Sequence, residues 1–136
     1  MLCWIGLNPG TGDSDGKPRP TLGRVEQWAR RWHLDGVLVV NLFAFRTTRP
    51  AVLRTTQADI IGGQNDLVID WASAVSERTL AAWGADGRLF GRGAQVGQRL
   101  DGATCLGLTK LGQPRHPLYV TGDVEPMPLL MSSDAL

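Results

Sequence analysis

An apolar run passes directly into a polar turn in Leu2-Cys3-Trp4-Ile5-Gly6-Leu7-Asn8-Pro9-Gly10, and this segment is the strongest indication of fold class. The run is continuous rather than alternating, which is typical of a strand that is covered on both faces, as in a parallel sheet. Similar apolar runs recur at 37–42, 79–83 and 104–108. We therefore expect a central, mainly parallel sheet of four strands.

Segments with helical spacing separate these runs. Apolar side chains recur every three or four residues in 22–32 and again in 64–75, where Leu67, Val68, Trp71 and Val75 share one helix face. Asn65 and Asp66 are suited to cap the start of that helix. A weaker pattern at 88–100 is interrupted by glycines. Alternating strands and helices predict an α/β three-layer sandwich, with all five tryptophans in the core.

Length and composition define the class of protein. A chain of 136 residues suits one domain. We assign residues 1–122 to a single α/β domain and 123–136 to an irregular tail. Hydrophobic residues make up 43% of the chain and charged residues 20%, which excludes a disordered protein. The formal net charge of +1 excludes a surface covered in basic residues but allows one local basic patch.

The residues and motifs present exclude several kinds of cofactor and a membrane-spanning segment. Two cysteines are too few for a disulfide framework, a four-thiolate zinc site or an iron–sulfur cluster. The chain has no phosphate-binding loop, dinucleotide-binding glycine spacing, metal-ligand cluster or serine elbow. No apolar run approaches the ~18 residues of a membrane span. Met1-Leu2-Cys3 lacks the basic region with which an export signal begins. We expect a cytoplasmic protein with no metal, no cofactor and no membrane partner.

Polar residues stand at three places where predicted strands end or have just ended. Asn8 ends the first strand, Asn41 ends the second, and His116 stands between two prolines after the last. Because the carboxyl ends of parallel strands share one edge of the sheet, these side chains are expected to converge on one crevice. Each also has an ordinary interpretation: Asn8 as a turn former, Asn41 as a strand-end cap, and His116 as a surface histidine.

Taken in chain order, the motifs resemble the uracil-DNA glycosylase superfamily. Gly6-Leu7-Asn8-Pro9-Gly10 resembles the first motif of the mismatch-specific uracil and thymine glycosylases, and Gly36–Asn41 resembles the strand whose Asn reads the extruded base. Ala81–Ala85 resembles the third strand with its Trp-Gly turn, and His116-Pro117 resembles the second catalytic motif. The whole chain up to about Val120 also resembles an uncharacterised bacterial and phage family, whose marks here include Val40–Arg46, Gln64-Asn65-Asp66 and Leu111–Tyr119.

The resemblance implies a uracil-DNA glycosylase-like fold and a DNA glycosylase-like hydrolase of damaged or modified nucleobases. It assigns catalysis to Asn8, which positions water, and to His116, which stabilises the leaving base. The implied base-binding residues are Gly6, Pro9, Gly10, Asn41, Phe43 and Tyr119. The implied phosphate-binding residues are Arg46, Arg49 and Arg115, with Arg54 nearby.

The chain departs from the glycosylase pattern in ways that leave other functions open. Leu118 stands where the second motif has Ser, and Asn8 is not the Asp of the strong-base mechanism. The first loop has Pro20 and Thr21 where a stacking Phe is expected, a role that Phe43 or Phe45 is placed to fill. The alternatives are an enzyme of free modified nucleosides or nucleotides, and a catalytically inactive base-binding module. The partner is accordingly DNA or a nucleobase-containing small molecule.

Overall fold

The computed structural model describes residues 1–9 and 20–131, apart from the side chains of residues 20 and 21. Its single sheet has the strand order β2-β1-β3-β4-β5. The strands are β1 Leu2–Gly6, β2 Val37–Asn41, β3 Arg78–Ala81, β4 Thr104–Cys105 and β5 Met127–Pro128. The first four are parallel and β5 is antiparallel to β4. A mainly parallel α/β sheet is therefore confirmed.

The sheet has five strands rather than the expected four. The additional strand, β5, lies in the segment that we had assigned to an irregular tail. Its two residues pair with Thr104 and Cys105, and Leu129 N donates to Ala103 O at 2.8 Å. Prolines flank and occupy this strand, a pattern that is confined to sheet edges because proline has no N–H to donate. Residues 132–136 of the predicted tail lie outside the described part of the chain.

Helical spacing predicts three of the described α-helices but not the one-turn helix at Val52–Thr55. The described helices are α1 Pro20–Arg31, α2 Val52–Thr55, α3 Asn65–Val75 and α4 Arg92–Gly97, with 3₁₀ turns at Ala85–Gly91 and Pro117–Tyr119. The weak pattern at 88–100 thus becomes a 3₁₀ turn followed by α4. Leu89 and Phe90 leave helical geometry between them. None of the described helices is long and apolar enough to cross a membrane.

Helices cover both faces of the sheet. On one face α1 packs on β1 and β3 through Leu2, Trp4, Val25, Trp28, Ala29 and Leu80. On the other face α3 packs through Cys3, Ile5, Val40, Ile69, Ala72 and Ala81. Alternate residues of β1 therefore point into two separate apolar layers, which explains why its sequence is continuously apolar. This arrangement gives the three layers that the sequence predicts.

The face of α3 that packs on the sheet is not the one that the apolar pattern indicates. Ile69 and Ala72 are buried, whereas Leu67, Val68, Trp71 and Val75 are 45–69% exposed. The helix is rotated because its first residues bond inward: Asn65 to the end of β2, and Asp66 to Arg92. Expecting Trp71 in the core was accordingly wrong, while Trp4, Trp28 and Trp83 are buried as expected.

The sheet order creates a switch in the direction of winding. The chain passes from β1 to β2 on one side, and then returns across β1 to β3 on the other. In open α/β sheets, ligands bind outside the carboxyl ends of the strands at such a switch point. Here the carboxyl ends are those of Gly6, Asn41 and Ala81. The fold therefore directs attention to the loops that follow these three residues.

Candidate functional site

Asn8 ties the turn after β1 to the segment after β2. Its Nδ2 donates to the carbonyls of Thr47 at 2.8 Å, Phe45 at 3.3 Å and Pro9 at 3.2 Å. Thr47 N in turn donates to Pro9 O at 3.1 Å. Because the amide nitrogen is committed to these carbonyls, the orientation of the carboxamide is fixed. Oδ1 is the atom of this side chain that can accept a hydrogen bond from a ligand or water.

Asn41 lies beside Gly6 in the register of the two neighbouring strands. A Cβ placed on Gly6 would stand 2.9 Å from Asn41 Oδ1, so the absence of a side chain at residue 6 makes room for this carboxamide. Asn41 is half-buried. Neither atom of its carboxamide has a hydrogen-bond partner within residues 1–9 and 22–131. The side chain thus offers one donor and one acceptor at the carboxyl edge.

A polar network fixes the main chain at Asn41. Asn65 Nδ2 donates to the carbonyls of Asn41 at 2.8 Å and Leu42 at 3.1 Å. Arg92 Nε donates to the same Leu42 carbonyl at 2.9 Å, although Arg92 is only 1% exposed. The sequence marks Gln64-Asn65-Asp66 as a family motif and predicts Asn65 and Asp66 as caps of α3, but the N-cap is Gln64, without a side-chain cap hydrogen bond. The role of Arg92 was missed altogether. The position of Arg92, within a glycine-rich segment with weak helical spacing, carries no signal that its side chain is buried.

The charge of Arg92 is balanced by Asp66. Its Nη2 lies 2.8 Å from Asp66 Oδ1, close enough for an ion pair but too poorly aligned for a hydrogen bond between those two atoms. Arg99 pairs with the other carboxylate oxygen at 3.0 Å. Burial raises the pKa of Asp66, but Arg92 and then Arg99 outweigh it and hold the pKa below its usual value. The carboxylate is therefore ionised and able to hold both guanidinium groups.

His116 is carried by a short hairpin that is anchored to the end of β3. The hairpin closes through a bridge between Leu108 and Pro114. Trp83 Nε1 donates to the buried Gln113 Oε1 at 2.8 Å, and Gly84 N donates to Pro114 O at 2.9 Å. Gly84 has a φ of 78°, and a Cβ there would contact His116 Cβ at 3.5 Å. The loop after β3 and the histidine are consequently held against each other.

The hydrogen bonding of His116 determines which ring nitrogen carries the proton. Leu118 N donates to Nδ1 at 3.2 Å, so Nδ1 is an acceptor and the proton of the neutral ring resides on Nε2. Burial lowers the pKa of His116, because the charged imidazolium loses hydration. The Leu118 N–H favours the neutral ring as well. At neutral pH, His116 is therefore an uncharged Nε2–H donor.

The structure places the other predicted base-binding residues in different environments. Gly6 is buried and Pro9 is half-buried at the end of β1, whereas Gly10 lies outside the described residues. Phe43 is fully buried in the core, which leaves none of its surface open to a ligand in this conformation. Tyr119 is 74% exposed, and its ring centroid lies 5.8 Å from that of His116.

The basic residues of the candidate site are exposed. Arg46 and Arg49 flank Thr47, whose carbonyl bonds Asn8. Arg115 Nη2 donates to Tyr119 O at 2.9 Å. Within the described residues, no group of three or more His, Cys, Asp or Glu side chains is placed to hold a metal ion.

The three polar groups thus come to one edge of the sheet. Asn41 stands at the end of β2, Asn8 follows β1, and His116 contacts the loop that follows β3. The outer two strands are separated by two strand spacings, about 10 Å.

A family model described as "Protein of unknown function (DUF1643)" matches residues 1–118. The chain belongs to the DUF1643 family. The matched range contains Asn8, Asn41 and His116, and it ends close to the limit at Val120 that the sequence motifs indicate. It also contains Asn65 and Arg92, which bond the main chain at the end of β2. No curated protein and no solved structure matches the chain.

Proposed function

We propose that this DUF1643 protein hydrolyses the N-glycosidic bond of a damaged or modified nucleobase in DNA. The observation that carries the proposal is the tautomer and location of His116. An uncharged Nε2–H donor, fixed by Leu118 N, stands at the edge of the sheet where Asn8 and Asn41 also lie. A donor of this kind suits a leaving base that gains negative charge as its bond to the sugar breaks.

His116 would stabilise the leaving base. In the reaction the C1′–N bond breaks, and its electron pair goes to the base while positive charge forms on the sugar. The His116 Nε2–H donates a hydrogen bond to a base oxygen as that charge builds. One preorganised donor of this kind contributes roughly 3 kcal/mol, about two decades in rate.

Asn8 would orient the water that captures the sugar. Its Nδ2 is held by three carbonyls, so Oδ1 remains to accept a hydrogen bond from that water. The water oxygen forms the new bond to C1′, and its proton passes to the departing base or to solvent, because a carboxamide takes up no proton. Positioning, rather than strong-base catalysis, is the contribution of Asn8.

Asn41 would read the base. Its carboxamide offers a donor and an acceptor together, which is the bidentate arrangement that distinguishes one base edge from another. The base reaches it by leaving the stack, as in enzymes that act on extruded nucleotides. Residues 36–58 around it contain Arg46, Arg49 and Arg54 and no acidic residue, which suits contact with phosphates.

The proposal is tested with oligonucleotides that carry uracil, other deaminated bases or hypermodified bases. Abasic sites are converted to strand breaks by alkali and counted. We expect strand breaks with at least one base, and a loss of about a hundredfold in rate for His116→Asn. His33→Asn is the matched control and retains the rate, since His33 lies after α1 at a φ of 58°, a conformation that Asn tolerates.

Free nucleosides and nucleotides of the same bases form the second arm of the experiment. Release from these alone would contradict DNA as the substrate. Binding without release in both arms would contradict an enzymatic function and favour a base-binding module. Affinity for DNA that does not fall with added salt would contradict the phosphate contacts of Arg46, Arg49 and Arg115.

A further inference from the structure

The outer edge of the sheet at β2 has unpaired main-chain groups. Leu42 N donates to Gly6 O, so the N–H and C=O groups of even-numbered residues in this strand turn toward β1. Those of Val37, Val39 and Asn41 turn outward. In the part of the chain that the structure describes, only the Asn41 carbonyl among them has a partner, Asn65. Val39 is 48% exposed. Such an edge is a template for pairing with another strand.

An exposed apolar flank of α3 borders the same edge. α3 packs on β1 and β2, whereas α4 lies on the other side, where Gly97 contacts Met131 beyond β5. The flank of α3 that faces α4 carries Asp66 and Asp70, which pair with Arg92 and Arg99. At 3.6 residues per turn, Val68 and Val75 fall on the opposite flank, toward β2, with Trp71 beside them. We call β2 with these three side chains the β2/α3 face.

The β2/α3 face is uncharged and self-complementary. Its strand has the sequence Val-Leu-Val-Val-Asn, and the helix contributes two valines and a tryptophan. The face offers no opposite charge to a charged partner. A second copy would bring the same apolar side chains against it. Strand and helix are each about 16 Å long and together cover roughly 16 by 20 Å, about 320 Å² in projection. An area of this size is below the roughly 600 Å² per partner of the smaller stable interfaces and suits a weak dimer that dissociates on dilution.

We propose that two copies of this chain associate through the β2/α3 face, with antiparallel pairing of their β2 strands. The two-fold axis passes beside Val39, whose N–H and C=O bond those of the partner copy's Val39. Val37 of each copy pairs with Asn41 of the other copy. The two five-stranded sheets become continuous, and the α3 helices lie antiparallel on one face with Trp71 and Val68 buried between them. The partner strand then also fixes the main chain of Asn41.

Oligomeric state is the first test. Sedimentation of the full chain should give twice the chain mass at about 100 μM and dissociation on dilution. Val39→Lys and Trp71→Glu should each give the monomer mass, because each places charge in the face. Leu130→Lys is the matched control on the opposite edge, since Leu130 follows β5 and is 79% exposed, and it should leave the mass unchanged.

A cross-link tests the register. In Val39→Cys the two introduced thiols face each other across the axis, with Cα atoms about 5.5 Å apart, which suits a disulfide. Cys3 and Cys105 are buried, so the new thiol is the one that reacts. Oxidation should give a covalent dimer for Val39→Cys and none for Leu130→Cys. A monomeric wild type at about 100 μM, a dimer that survives both Val39→Lys and Trp71→Glu, or a dimer without the cross-link would each overturn the proposal.

Discussion

At the scale of single residues, the candidate site is defined by which hydrogen bonds are already committed. Asn8 uses its amide nitrogen on three main-chain carbonyls, and His116 uses Nδ1 on Leu118 N. Asn41 commits neither atom of its carboxamide to the described residues. The atoms left over, an acceptor at Asn8, a donor at His116 and both at Asn41, are the ones that the proposed reaction needs.

Asn41→Asp should change which base is accepted more than it changes folding. The substitution replaces the donor by a second acceptor at nearly constant volume, so bases that present an acceptor to Nδ2 lose the most. We expect the free energy of unfolding to stay within about 1 kcal/mol of wild type, because the side chain is half-buried. Relative binding across a panel of bases checks this, and equal loss for every base would contradict it.

Acidification should first affect His116. Because burial lowers its pKa, the unfolded chain takes up the proton before the folded chain does. Well above pH 6.5 neither state is protonated and the group leaves stability unchanged. Stability then falls as the pH drops from 6.5 toward the folded pKa.

Nuclear magnetic resonance titration of the His116 ring should give a midpoint below 6.5. His116→Asn should lose less stability than wild type between about pH 7 and pH 5. A midpoint above 6.5, or an identical acid response of the two proteins, would show that the ring is not held neutral.

Gly6→Ala should disturb the site without unfolding the protein. The new methyl group would stand 2.9 Å from Asn41 Oδ1, and that carboxamide is the movable end of a side chain. We expect ligand binding to weaken about tenfold or more, about 1.4 kcal/mol. Gly23→Ala is the control, because nothing lies within 4 Å of its Cβ position. Unchanged ligand binding in Gly6→Ala would place Asn41 outside the binding site.

At the scale of secondary-structure elements, the sequence predicts most of the fold. Continuous apolar runs locate β1 to β4, because these strands are covered on both faces. Helical spacing locates α1 and α3, although the apolar stripe of α3 is exposed. The rotation of α3 was not predictable in this way, since it is determined by bonds from Asn65 and Asp66 to distant residues. Strand β5 has two residues, one of them proline, and carries no strand pattern of its own.

Two residues of the candidate site could be predicted because the strands before or around them could be predicted. Asn8 and Asn41 follow apolar runs, so the parallel sheet brings them together. The supporting contacts of Arg92 and Gln113 were not predictable, because neither residue type indicates burial and their partners lie far away in the sequence.

Removal of the buried guanidinium should destabilise the end of β2. Arg92→Met leaves the Leu42 carbonyl with one donor fewer and Asp66 with Arg99 alone. Asp66 remains partly solvated, so we expect a loss of about 2–4 kcal/mol in the free energy of unfolding, measured with denaturant. Arg88→Met is the matched control at an exposed position of the 3₁₀ turn and should change it by less than about 0.5 kcal/mol.

At the scale of the whole molecule, a nearly neutral chain concentrates its chemistry at one edge of a sheet. Winding to both sides of β1 leaves the carboxyl ends of β2, β1 and β3 adjacent. Asn41 is the last residue of β2, and the loops after β1 and β3 supply Asn8 and the contacts of His116. The β2/α3 face stands at the side of the same sheet. Asn41 would therefore take part in both base recognition, through its side chain, and self-association, through its main chain.

The proposed function requires Asn8, Asn41 and His116 to share one base-binding crevice. Its most direct test is a nuclear magnetic resonance titration of the isotope-labelled protein with a panel of nucleobases and nucleosides. The side-chain amide signals of Asn8 and Asn41 and the ring signals of His116 are followed together. We predict that one base shifts all three with a single dissociation constant. Shifts at these residues that need different ligands or differ in affinity, or no shift at any of them, would contradict the account.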